Sequence, residues 1–188
     1  MEAVYSKYNY ILEKAEDYFC VCAVLKTIIQ IHSNRSISQQ EIANFFNIIY
    51  PSDYPYISDK SITSKDPNDW GIKIHKDGIN NLLKAGNIPL KENYYPINQF
   101  QDWQFDDKIR EILGNGYHLV CGFCSPFLYF HEDKKVGHVA IIYGIENENV
   151  ILLDPGPEKF GRQVVQSIDL YQAIHFKKDG IWEIIPKL

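Results

Sequence analysis

Nowhere in the 188 residues do lysine and arginine run together long enough to track a phosphate backbone, and 24 acidic residues outnumber 19 basic ones, for a formal net charge of −5. A nucleic-acid partner is therefore not expected. Long apolar runs are equally lacking: no stretch approaches the roughly 20 residues that a helix needs to cross a bilayer, so no membrane span is expected. Residues 1–19, MEAVYSKYNYILEKAEDYF, have none of the basic start, continuous apolar segment and small-residue cleavage site of a secretory signal, which points to the cytoplasm. In that compartment the four cysteines, Cys20, Cys22, Cys121 and Cys124, are expected as free thiols. Internal repeats and low-complexity tracts are missing too. What is present, 45% hydrophobic and 14% aromatic residues, suits one domain over residues 1–188 with a core that needs no disulfides.

From Asp17 to Ile31 the apolar residues Val21, Val24, Leu25 and Ile28 recur at i, i+3, i+4 and i+7, with Ile29 widening the stripe, which predicts a buried helix beginning near Cys20. Ser38 and Glu41 form a capping box ahead of Ile42, Ala43, Phe45 and Phe46, predicting a second helix that ends before Pro51. Pro51 to Asp69, rich in Pro, Ser, Thr and Asp, reads as a long irregular excursion of the kind that often carries function. A third helix is expected at Ile79, Leu82 and Leu83 with its stop at Gly86, and a fourth from Phe105 to Leu113, closed by Gly114.

Beyond Gly116 the texture changes. Tyr117 to Phe130, Val139 to Ile145 and Val150 to Asp154 are rich in aromatic and β-branched residues punctuated by Gly, Asn and Pro, as strands are. The polar loop Glu146 to Asn149 makes Gly137 to Asp154 a hairpin, and further strands are expected at Gln163 to Ile168, around His175 and at Trp182 to Ile185. Helices first and strands afterwards predict an α+β fold, with a helical part over about residues 1–115 and an antiparallel sheet over about 116–188.

A thiol at the N-terminal end of a buried helix sits where free N–H groups and the helix dipole favour the reactive thiolate, so Cys20 reads either as a nucleophile or as a small core residue. His138 opens an apolar strand and Asp154 closes the partner strand, 154 − 138 = 16 positions on. A hairpin brings its two ends together, so the carboxylate can reach a ring nitrogen and fix its tautomer. Taken singly, His138 also suits a structural histidine and Asp154 a turn residue.

The order of a cysteine on an early helix, then a histidine and an aspartate on adjacent later strands, is that of papain-like cysteine peptidases. Cys20-Val21-Cys22-Ala23-Val24-Leu25 resembles the C-G-x-A-x-L motif of the double-glycine leader peptidases and their free-standing relatives. Gly137 to Gly144 (GHVAIIYG) and Ile151 to Pro155 (ILLDP) resemble that family's strand histidine and strand-ending Asp-Pro. The resemblance extends from about Glu13 to Leu170. It implies a papain-like fold, Cys20 as nucleophile, His138 as general base and acid, Asp154 as the residue orienting His138, and no metal or cofactor. Two positions depart from the pattern: Val21 stands where the family has Gly, and Lys14 where it has a Gln that helps to form the oxyanion hole.

The implied activity is hydrolysis of a peptide or isopeptide bond through a Cys20 thioester, on a peptide or protein substrate. An acyltransferase or amidase on the same fold is the alternative, since an amine can also resolve a thioester. A catalytically silent peptide-binding module is a third reading, motivated by Lys14 and Val21. Cys22 is a rival nucleophile, although Ala23 and Leu25 align with Cys20 in that role and Cys22 lies about 200° further round the helix. A zinc site from Cys20, Cys22, Cys121 and Cys124 is weakly signalled, because strand alternation sends Cys121 and Cys124 to opposite faces. His32, His75, His118, His131 and His175 have no ligand spacing and are expected at the surface or locally bonded. Tyr94 and Tyr95 are expected as core and groove walls.

Overall fold

Two periodicities, 3.6 and 2, divide the chain into elements. The computed structural model describes residues 2–33, 36–55, 61–74 and 77–187. In chain order the elements are β1 (Val4–Tyr5), α1 (Cys20–His32), α2 (Gln39–Phe46), β2 (Ile49–Pro51), β3 (Ile62–Ser64), α3 (Gly78–Ala85), β4 (Leu90–Pro96), α4 (Asp102–Gly114), β5 (His118–Cys124), α5 (Ser125–Phe130), β6 (Gly137–Glu146), β7 (Asn149–Pro155), β8 (Phe160–Gln166), α6 (Ser167–Lys177) and β9 (Gly180–Pro186).

The larger sheet runs β4-β9-β5-β6-β7-β8, antiparallel throughout, with β1 also paired to β6. Alternation along its central strands feeds two cores. Val120, Val139, Ile141 and Ile184 point to one face, where Val24, Leu25 and Ile28 of α1, Ile42 of α2 and Leu82 of α3 close over them. Leu119, Cys121, Phe123, Ala140 and Ile142 point to the other, against Phe105 and Ile109 of α4 and Leu170 and Ile174 of α6. Truncating a fully buried Phe123 in such a layer costs about 3–5 kcal/mol.

The start of α2 follows the capping logic. Ser38 accepts from the Glu41 N–H and Glu41 reaches back to the Ser38 N–H, so α2 opens with the expected box. The Gly137–Asp154 hairpin is also present, with a tighter turn than its polar loop suggested: Glu146 pairs with Asn149, and Asn147 takes a left-handed φ of 52°.

Several expectations are corrected. The strand expected around His175 is α6, because Leu170, Ala173 and Ile174 repeat at helical spacing and bury one face. The strand from Tyr117 stops at Cys124, where Ser125-Pro126 starts α5 with proline in the first turn. β4 comes from the part read as helical and pairs with β9 at the sheet's margin, so the halves interleave. The Pro51–Asp69 excursion carries a short parallel pair, Tyr50 against Thr63, and a 3₁₀ turn over Pro67–Asp69, while residues 56–60 lie outside the described residues.

Candidate active site

Cys20 is the first residue of α1 and partly exposed. Phe19 at the N-cap has no side chain able to accept a hydrogen bond from the first turn, so the helix start presents backbone N–H groups without a side-chain cap. Immediately before it, Tyr18 is held at φ 68°, a left-handed conformation that bulky residues rarely adopt. The approaching segment is tied down from three sides. The Ala15 N–H donates to the Pro155 carbonyl at 2.8 Å, the Glu13 N–H to Thr27 Oγ1 at 3.0 Å, and Gln39 Nε2 to the Lys14 carbonyl at 2.8 Å.

At the same end of the sheet, His138 and Asp154 come together as the hairpin predicts. With Ile141 opposite Leu153, Asp154 stands two residues from the position opposite His138, a diagonal pair on one sheet face. His138 Nε2 donates to Asp154 Oδ1 at 2.8 Å; the histidine side chain is 11% exposed and the carboxylate 0%. Asp154 accepts two further hydrogen bonds, from Tyr129 Oη at 2.5 Å and from the Gly156 N–H at 2.8 Å. The Phe123 ring meets the imidazole edge-on, 5.4 Å between centroids at 88°. Nε2 is committed to Asp154, and the Cys20 thiol lies close enough to the ring to influence its titration.

Burial works against a charged His138, but the hydrogen bonds and charges of Asp154 and Cys20 outweigh it and raise its pKa to about 10. The ring is therefore an imidazolium at neutral pH. Burial and the Asp154 charge push the Tyr129 hydroxyl well above its usual range, which keeps it a donor.

Two openings flank the thiol, both bounded by Tyr18, Cys20, Gly137 and His138. The larger, about 640 Å³, has walls that include Trp70, Ile72, Ile74, Tyr94 and Trp182. The smaller, about 290 Å³, lies on the side of Ser125, Tyr129 and Gly156.

Set against solved structures, the chain is similar to a protein described as a C39-like peptidase from Bacillus anthracis, with a TM-score of 0.64 at 14% identity over 100% of this chain and 99% of that one. It is similar, too, to the peptidase domain of Streptococcus ComA, described as a bi-functional ABC transporter involved in a quorum-sensing pathway, with a TM-score of 0.56 at 14% identity over 96% of this chain and 100% of that one. The fold is that of the C39-like peptidases. No family model and no curated protein matches the sequence.

Most other residues singled out by sequence fall elsewhere in this fold. The Lys14 side chain is exposed and bounds neither opening. Cys22 is fully buried, and burial pushes its thiol well above the ordinary range, which disfavours it as a rival nucleophile. Cys121 packs in the second core, and Cys124 donates to the Lys134 carbonyl at 2.9 Å. Among the described residues no group of three or more His, Cys, Asp or Glu is placed to hold a metal ion. Tyr94 walls the larger opening and Tyr95 packs on the second core. His75 lies outside the described residues.

His32 and His118, expected at the surface or locally bonded, instead bond to each other across 86 positions, Nε2 to Nε2 at 2.6 Å. Tyr10 Oη meets His118 Nδ1 at 2.7 Å, and the Tyr8 ring stacks on His118 at 3.9 Å. His118 is fully buried, and burial with the nearby His32 and Lys7 lowers its pKa to about 3. No sequence spacing signals this cluster; only the sheet creates it.

Proposed function

We propose that the protein is a cysteine peptidase-like hydrolase that cleaves a peptide or isopeptide bond through a thioester on Cys20. The observation that carries this reading is a buried, carboxylate-anchored histidine that shares two openings with a partly exposed thiol at a helix start, on a fold shared with C39-like peptidases. An imidazolium beside a thiol favours the thiolate, the nucleophilic form.

In the forward reaction Cys20 Sγ attacks the carbonyl carbon, and the developing oxyanion is met by backbone N–H groups at the start of α1. His138 gives its Nδ1 proton to the departing amine, the C–N bond breaks, and the acyl group remains on sulfur. Neutral His138 then takes a proton from water as it attacks the thioester, and sulfur leaves with its electron pair. Asp154 holds Nε2–H throughout, so the nitrogen that carries protons always faces the thiol. The larger opening, with its aromatic and aliphatic walls, suits the acyl portion, because apolar groups gain most from leaving water. With Lys14 in place of a glutamine donor, turnover of unactivated amides is expected to be slow, since one missing oxyanion donor costs about 100- to 1000-fold.

A limiting dose of iodoacetamide followed by peptide mass spectrometry tests the reading. Cys20 is expected to react first, with Cys22, Cys121 and Cys124 spared, and the preference is expected to collapse in folded His138→Ala. Equal rates at Cys20 in wild type and His138→Ala would remove the catalytic pair and leave a peptide-binding module.

A further inference from the structure

Tyr129 reaches the site from an element that the sequence does not announce. α5 turns away from the sheet at Ser125-Pro126 and brings the Tyr129 hydroxyl to the end of the Gly137–Asp154 hairpin, where it donates to Asp154 Oδ2 at 2.5 Å. The other carboxylate oxygen, Oδ1, accepts from His138 Nε2 and from the Gly156 N–H, both at 2.8 Å. Each oxygen thus has its own donors, which fixes the plane of the carboxylate. One ring frames the group: Phe123 meets Tyr129 edge-on at 5.9 Å and 89°, and meets His138 at 5.4 Å and 88°. Because Asp154 is wholly buried, its charge is shared among these donors rather than with bulk solvent. A separation of 2.5 Å is that of a hydroxyl donating to an ionised carboxylate, whose charge it partly draws to itself. Whatever draws charge towards Oδ2 weakens the pull at Oδ1, so Tyr129 and His138 compete for one negative charge. The other titratable groups close by are Cys20 from α1, Cys121 from β5, Glu158 beyond β7 and Lys177 of α6, which lies over Gly137. Burial keeps Cys121 a neutral thiol, and of all these groups Tyr129 is the one hydrogen-bonded to the carboxylate.

We propose that Tyr129 is a positioning residue for His138: by holding Asp154 Oδ2 it fixes the carboxylate and draws off part of its charge, so that the imidazolium gives up its proton more readily. The effect on His138 stands by itself, whereas its consequence for catalysis rests on the thioester reading above. When the C–N bond breaks, the departing nitrogen takes the electron pair of that bond together with a proton from His138, and the acyl carbon keeps its bond to Cys20 Sγ. An imidazolium held by a carboxylate with no second donor is a weaker acid for that step. A leaving group that departs as an anion, such as a thiolate, needs no proton and does not register the difference. Tyr129 therefore matters for amide substrates and little for activated ones.

The test uses the full chain with isotope-labelled histidine, in wild type and Tyr129→Phe, the His138 resonances being assigned by their loss in His138→Ala. At the pH where His138 of wild type is half protonated, Tyr129→Phe is expected to be about nine-tenths protonated, a midpoint about one pH unit higher, as loss of one hydrogen bond to the carboxylate predicts. Replacing Tyr129 by fluorotyrosine, a stronger donor of nearly the same shape, is expected to lower the midpoint, which keeps the test decisive if Tyr129→Phe does not fold. Kinetics supplies a second readout. Hydrolysis of N-acetylphenylalanine p-nitroanilide is expected to fall roughly three- to tenfold in Tyr129→Phe, while hydrolysis of the corresponding benzyl thioester and alkylation of Cys20 stay near wild type. An unchanged midpoint overturns the proposal, and so does an equal loss on both substrates, which a merely structural hydroxyl would give. If wild type turns over neither substrate the thioester reading fails, and the His138 midpoint still decides the role of Tyr129.

Discussion

Asp154 is the residue on which most of the site converges. It is wholly buried and accepts three hydrogen bonds, from His138, Tyr129 and the Gly156 N–H. Asparagine there keeps the shape but offers one acceptor oxygen where the carboxylate offers two, and turns an N–H₂ towards at least one donor. His138 would then lose the partner that fixes its tautomer and supports its proton. Asp154→Asn is expected to fold with about 1–3 kcal/mol lost and turnover down roughly 1000-fold, whereas His138→Ala abolishes turnover outright. Kinetics with one activated acyl donor, beside urea unfolding of each variant, checks the ranking; an Asp154→Asn enzyme near wild-type rate would show that the carboxylate is only a turn anchor. Cys20, His138 and Asp154 could be singled out in the sequence because each sits near an element boundary, a helix start or a strand end. Tyr129 was not, since its hydrogen bond to Asp154 depends on where α5 turns away from the sheet.

At the level of elements, helices with a clean apolar stripe were read correctly from sequence, α1 and the capped α2 above all. Those rich in aromatics were not. Phe127, Leu128, Tyr129 and Phe130 carry strand-like composition, and only Pro126 at the helix start argued for α5. β4 was missed for the opposite reason: its LKENYYP sequence mixes charge with aromatics because it lies at the sheet margin. That strand also contains an anomaly. Glu92 is 5% exposed, its Oε2 lacks a partner among the described residues, and burial raises its pKa above the usual 4.5. A carboxyl raised in this way favours the fold when protonated, so stability falls as pH climbs from 4.5 through the folded value. Glu92→Gln is therefore expected to raise stability at pH 7 by about 1 kcal/mol, with the gain vanishing near pH 4. Urea titrations at both pH values decide it, and an equal gain at both would assign the effect to packing instead.

The whole molecule is fastened along a line far from the thiol, where Tyr10, His118 and His32 join the N-terminal segment, β5 and the end of α1. His118 and His32 both have lowered pKa values, so their neutral forms favour the fold. Their contribution is present above 6.5 and is lost as pH falls below it towards about 3. His138, raised instead, contributes a constant amount below 6.5, while Glu92 and Asp179, raised by burial, offset part of the histidine loss as pH falls. Between pH 7 and 5 the histidine pair is thus expected to withdraw about 2 kcal/mol, and His118→Gln to remove that contribution. A wild-type urea midpoint that does not move over this range would mean the pair stays bonded when protonated. One feature of the sheet bears on synthesis. β9 lies between β4 and β5, and Asn93 finds its partner Glu183 across 183 − 93 = 90 positions. On a ribosome, β4 and the β6–β7 hairpin are both made before the strand that joins them into one sheet. The nascent chain must hold an open strand edge until Gly180–Pro186 emerges, so refolding should be slow and a chain cut after Asp179 should aggregate rather than lose a mere margin of the sheet.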